Sequence, residues 1–113
     1  MQIINKSKAV SLASEVIVAD KTFSRLRGLL GRDSLNRGEA LIIKPCNSIH
    51  TFFMRFPIDV LFIGKGNKVI KAISGIKPFR LSGIYINACF AIELPSGVIF
   101  ESSTYEGDEI TIT

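Results

Sequence analysis

The 113-residue chain has no tryptophan, one histidine and two cysteines. The missing tryptophan carries no functional information, but the scarcity of the other two does. A single histidine (His50), no HxxxH, no paired cysteines and scattered carboxylates give none of the ligand spacings of a zinc site. A set of His50, Asp59 and Glu93 is the one metal-binding combination worth naming, and no spacing supports it, so no metal is expected. Cys46 and Cys89 lie far apart with no CxxC. In a reducing compartment they are expected as buried, reduced side chains, although one pair leaves one disulfide connectivity open. GxGxxG, GxxxxGKS/T, GxSxG and HExxH are all absent, so no nucleotide, hydrolase or zinc-protease signature is present and no cofactor is implied. Apolar runs such as Ile58 to Ile63 are far shorter than the roughly 20 residues of a membrane helix, and Asp59 interrupts that one. The first residues, MQIINKSKAVSLASEV, contain lysines but no apolar core, so they do not read as a signal peptide and a cytoplasmic location is expected.

What is present is an ordinary globular composition, 47% hydrophobic and 21% charged. The length fits one domain, residues 1–113. Net charge is +4 and uneven: residues 1–56 carry nine basic and four acidic side chains, residues 57–113 five and six. That excess permits attraction to an anionic partner. No DNA- or RNA-binding signature accompanies it.

Short β signals dominate. Residues Ile3 to Asp20 read as extended, with Val16, Ile17 and Val18 as a β-branched strand. Asp20 or Thr22 can cap a helix over about 22–31, where Phe23, Leu26, Leu29 and Leu30 fall on one face and Gly31 suits the residue past its end. Ala40 to Ile43 is a buried strand closed by Pro45. Ser48 to Met54 alternates imperfectly, and Arg55-Phe56-Pro57 reads as a turn that folds it back on the next strand. Val60 to Ile63 and Val69 to Ile73, joined by Gly64-Lys-Gly-Asn-Lys, form the clearest hairpin. Cys89 to Leu94 is a buried strand, Ser96 can cap a short helix over about 96–103, and Glu109 to Thr113 is a final half-exposed strand. Seven or eight short strands with one or two helices predict a mainly β fold, a small barrel or sandwich.

Cys46 to Ile63 concentrates the chemistry: His50, four of the eight phenylalanines, and Asp59 inside an apolar run. A Cys46–His50 nucleophilic pair fails on distance, because residues four apart on a strand stand about 13 Å apart and the chemistry needs about 3 Å. His50 and Asp59 can meet if Arg55-Phe56-Pro57 turns the chain. The plain reading is that Asp59 is a buried carboxylate satisfied by His50, by Arg55, Arg27 or Arg80, or by backbone N–H groups. Extended, the segment puts His50, Phe52 and Met54 on one face, as a pocket wall or a core layer. Arg25, Arg27 and Arg32 offer an arginine cluster, by default a solvated helix face. Glu93, inside an apolar strand, is expected to pair with an arginine.

Arg27-Gly-Leu-Leu-Gly-Arg32, Ile49-His-Thr-Phe-Phe-Met54, Pro57-Ile-Asp-Val-Leu-Phe62, Glu93-Leu-Pro-Ser-Gly97 and Gly107-Asp108 occur in that order. Together they resemble the bacterial and archaeal domain of unknown function 192 family over about residues 10–113. The resemblance implies a small β-rich barrel or sandwich carrying a helix, and no established activity. Its pattern includes His50, Met54, Pro57 and Asp59 without assigning them roles. Many relatives carry an export signal that this sequence does not show.

Three functions follow. The first is a non-catalytic domain binding a small ligand or protein around His50, Phe52, Met54 and Asp59, with Arg27 and Arg32 at the rim. The second is a hydrolase-like enzyme using His50 and Asp59. The third is an accessory protein acting through an exposed β-edge.

Overall fold

The computed structural model describes residues 1–21, 29 and 31–113. Most of the helix expected over 22–31, with Arg25 and Arg27, lies outside the described residues. Among the described residues eight strands form two open sheets, so the fold is a β-sandwich and not a closed barrel. The strands are β1 (Ile3–Asn5), β2 (Val10–Ala13), β3 (Glu15–Ala19), β4 (Glu39–Ile43), β5 (Ile58–Gly64), β6 (Val69–Ile76), β7 (Ala88–Pro95) and β8 (Ile110–Ile112). The small sheet runs β2-β1-β8 and the large one β3-β4-β7-β5-β6.

β5 lies inside the large sheet and every one of its seven residues is buried. Alternate side chains feed two cores. Leu61 and Ile63 join Ile3, Leu12, Ile92, Leu94, Val98, Ile99 and Ile110 in a layer shared with the small sheet and the short helix Val98–Ser102. Ile58, Val60 and Phe62 join Leu41, Ile43 and Ala91 on the opposite face, under Leu29, Leu35, Ile49 and Met54. A strand covered on both faces reads as a near-continuous apolar run instead of an alternation, which is why Ile58 to Ile63 looks as it does.

The hairpin stands as expected: β5 and β6 pair antiparallel around a 3-10 turn at Lys65–Asn67. Gly66 and Asn67 supply the positive φ angles, +74° and +56°, that such a turn needs. Gly64 lets chains approach, since a Cβ there would meet Ile70 and come within 2.9 Å of the Asn87 carbonyl oxygen.

β3 and β4 pair in parallel, so the chain crosses over between Ala19 and Glu39. Two expectations are overturned. Ser48 to Met54 is no strand and forms no strand–turn–strand with β5. Within it only an isolated bridge, His50 to Leu81, is made. The Met54 N–H turns back onto the Thr51 carbonyl at 3.2 Å, and Phe53 takes φ +64°, which ends extended structure. The helix at 98–102 is capped differently too. Ser96 is exposed and lies outside it, and Gly97 occupies the cap position at φ +100° with no side chain of its own to accept a bond. The missing acceptor comes from Asp59.

Candidate functional site

The structure separates the residues that sequence placed together. Asp59 is sealed, with 0% of its surface exposed, on the β5 face that meets the short helix. Its carboxylate accepts three backbone N–H bonds, from Gly75 (2.7 Å), Gly97 (3.1 Å) and Ile99 (2.9 Å). One side chain thus ties β6 to β5 and satisfies two amides at the start of a helix that has no capping side chain. Met54 is buried on the opposite face of the large sheet. His50 is exposed, its Nδ1 accepts the Phe52 N–H at 3.3 Å, and its ring stacks on Phe52 at 5.3 Å. Among the described residues nothing joins His50 to Asp59. Arg32 pairs with Glu39 at 3.2 Å, and Arg27 lies outside the described residues. A cleft of about 280 Å³ lies elsewhere, between Val10–Ser14, Arg37 and the short helix.

The surface around His50 has an order of its own. Thr51, fully buried, laces two loops together. Its N–H donates to the Arg80 carbonyl, its carbonyl accepts from Phe79 N–H, and its hydroxyl accepts from Arg80 N–H and donates to the Lys77 carbonyl. Ser82 N–H to Ile49 O and Tyr85 N–H to Asn47 O extend the lacing. The result is an irregular ribbon of residues 47–54 against 77–86. Inward, Tyr85 packs on Phe62. Outward stand His50, Phe52, Phe53, Phe79 and Leu81, with Ile84 and Ile86 further along. Phe53 is 75% exposed and Phe79 55%, and their rings meet edge to face at 5.5 Å. Each sits on left-handed backbone, φ +64° and +62°. For a bulky side chain this conformation costs about 1–3 kcal/mol and persists only when the surroundings impose it. Sequence reading missed Phe53, Phe79 and Leu81, because alternation assigned Phe53 to no chosen face and the Phe79 segment carried no element.

The ridge is also free of carboxylates. Between Lys44 and Ile92 the only acidic residue is Asp59, which is sealed. Lys77 and Arg80 are exposed within the ridge itself. Arg55, beside it, pairs with Asp33 from another segment.

Three other polar or reactive groups lie away from the ridge. Glu93 on β7 is buried against Leu41 of β4 and Val60 of β5. Burial raises its carboxyl pKa to about 8, its Oε1 has no hydrogen-bond partner, and among the described residues no arginine pairs with it. Asp108 is buried in a polar knot with Asn5 (3.0 Å), Lys8 (2.8 Å) and the Tyr105 N–H (3.0 Å). Burial pushes its pKa up, but these bonds and the Lys8 charge outweigh that and hold it low. Cys46 and Cys89 are adjacent through a 3.1 Å backbone bond, yet both are thiols. They are half-buried and exposed, not buried as expected, because Cys89 lies on a partly open end of β7. Among the described residues no three His, Cys, Asp or Glu side chains gather as metal ligands, and no helix is long and apolar enough to cross a membrane.

Fold and surface together define a small β-sandwich domain that carries a fixed aromatic ridge on two laced loops. The chain belongs to the DUF192 family (Uncharacterized ACR, COG1430), whose model matches residues 3–112. It is 34% identical over 112 residues to a UPF0127 protein of Thermococcus sibiricus, covering 96% of this chain and 72% of that one. It is 33% identical over 113 residues to the UPF0127 protein PH1112 of Pyrococcus horikoshii, covering 96% of both. A crystal structure of a protein of unknown function from Novosphingobium aromaticivorans shares the fold, with a TM-score of 0.85 at 16% identity over 98% of this chain and 82% of that one.

Proposed function

We propose that this domain is a non-catalytic binding module whose recognition surface is the ridge of His50, Phe52, Phe53, Phe79 and Leu81. The observation that carries the reading is the pair Phe53 and Phe79, exposed and held on left-handed backbone by the lacing through Thr51. A fold with no use for these rings in water would relax them or replace them. Exposed apolar groups gathered in one place mark interaction sites, and strained backbone accumulates where function requires a fixed presentation. Lys77 and Arg80 add positive charge with no carboxylate in the ridge, so the surface suits a partner that combines apolar groups with negative charge. Placing His50 and Asp59 apart supports binding over a His–Asp hydrolase, and placing Asp59 and Met54 in the interior moves the site outward from the pocket that sequence suggested.

The test is a titration of the ¹⁵N-labelled domain with monomeric dodecyl phosphate, a small probe with an apolar tail and an anionic head. Amide shifts concentrated at 50–55 and 77–86 are expected. Shifts confined to the Arg37 and Glu101 cleft, or none, overturn the reading.

A further inference from the structure

We infer that the partner of the ridge is an anionic membrane surface, onto which the domain docks peripherally through Phe53, Phe79 and Leu81; the inference rests on the binding reading above. Three observations separate this occupant from others. First, the ribbon has little main chain to offer. Thr51, Phe79, Ser82 and Tyr85 N–H groups are spent on the carbonyls of Arg80, Thr51, Ile49 and Asn47. An extended peptide gains its affinity from a free ladder of such groups, and here the two loops have already paired with each other. Second, the exposed groups point outward from loop tips, Phe53 at 75% and Ile86 at 85% exposure. Outward apolar side chains suit the boundary between lipid headgroups and acyl chains, which an interfacial segment enters by about 5–10 Å and where aromatic rings are favoured. Third, cations interleave with these side chains in one stretch, Lys77-Pro-Phe-Arg-Leu81, and no carboxylate lies in either loop. That is the composition by which a surface segment recognises anionic lipid. It also argues against a second copy of the chain, because two such ridges would oppose like charges.

Because the loops are already fixed by Thr51, docking requires no refolding. The side chains enter as presented, and Lys77 and Arg80 remain at the level of the phosphates. Binding is therefore expected to need both the apolar groups and the charge, and to weaken with salt.

Sedimentation with vesicles tests this, using phosphatidylglycerol mixed with phosphatidylcholine against phosphatidylcholine alone. Binding to the anionic vesicles is expected, at least about tenfold weaker to the neutral ones and in high salt. F53S/F79S and K77E/R80E should each lose about tenfold or more, with circular dichroism melts showing that both variants fold. Two variants of opposite chemistry keep the test decisive if one of them fails to fold. No sedimentation with anionic vesicles, while dodecyl phosphate still shifts the ridge, overturns the membrane inference and leaves the binding reading standing. If an acidic amphipathic peptide binds the ridge more tightly than the vesicles do, the occupant is a protein and the inference falls. Failure of vesicles, peptide and dodecyl phosphate together overturns both.

Discussion

Asp59 and Phe53 lie six residues apart and obey opposite rules. At Asp59 a charged group has been taken wholly out of water, and both oxygens are answered by backbone donors from three later positions. At Phe53 an apolar ring has been left in water on a backbone that opposes it. The first arrangement serves the fold: remove the carboxylate and the short helix and β6 lose their common anchor. The second does nothing evident for the fold, since the ring buries little and strains its own residue. A polar group that is buried and fully satisfied is explained by stability. An apolar group that is exposed and strained is not, and this contrast is why we propose a binding role for the ridge and a structural one for Asp59.

The sharpest way to break that contrast is D59A. It strands the amides of Gly75, Gly97 and Ile99, and at about 1–3 kcal/mol for each unsatisfied buried donor the expected loss is at least about 3 kcal/mol. Urea unfolding measures it, and a loss below about 1 kcal/mol would mean that Asp59 is not the anchor.

Glu93 tests the interior in a different way. Its folded pKa, about 8, lies above the ordinary value of 4.5, so between those limits the folded state holds a proton that the unfolded chain has released. Stability contributed by the neutral form is full below about pH 4.5 and falls as pH rises toward 8. Unfolding free energies across that window should decline by a few kcal/mol in the native protein. In E93Q they should be nearly level, leaving the variant the more stable at pH 9. A native profile as flat as that of E93Q would show that Glu93 does not titrate in this way.

T51V examines the boundary between the two regions. It keeps the shape but removes a hydroxyl with two partners, and a loss of about 1–3 kcal/mol is expected. Hydrogen exchange should quicken at Phe79 and Arg80 while β5 and β7 stay protected. Uniform loss of protection would mean that the lacing belongs to the core. The smallest effect is expected on the ridge itself. F79G relieves a positive φ and removes an exposed ring, so its stability should lie within about 1 kcal/mol of the native value. A larger drop would make Phe79 a structural residue.

Much of the interior was legible from the residues. β5, β6 and β7 announce themselves as β-branched runs, and Gly64 to Lys68 can only be a turn between two of them. The burial of Asp59 followed from its apolar neighbours. Its donors did not, because they arrive from positions 16, 38 and 40 residues later, and no local pattern records that meeting. The same holds for the capping of the short helix: Ser96 is the residue that a local rule selects, and the acceptor sits on another strand. The ridge was hidden for a different reason. An exposed phenylalanine and a core phenylalanine look alike in sequence, and alternation cannot be followed through a residue with φ above zero. One signal was available, the long interval from Lys44 to Ile92 with a single carboxylate. It marks a surface without negative charge, but only the fold shows which part of that interval faces water.

The central claim is that the ridge binds and does not fold the protein. It is tested most directly by repeating the dodecyl phosphate titration on F53S/F79S and setting it beside that variant's melting curve. The account expects a melt that overlays the native one within about 4 °C, with the amide shifts at 50–55 and 77–86 abolished. A collapsed melt, or shifts that persist at native strength, would contradict it.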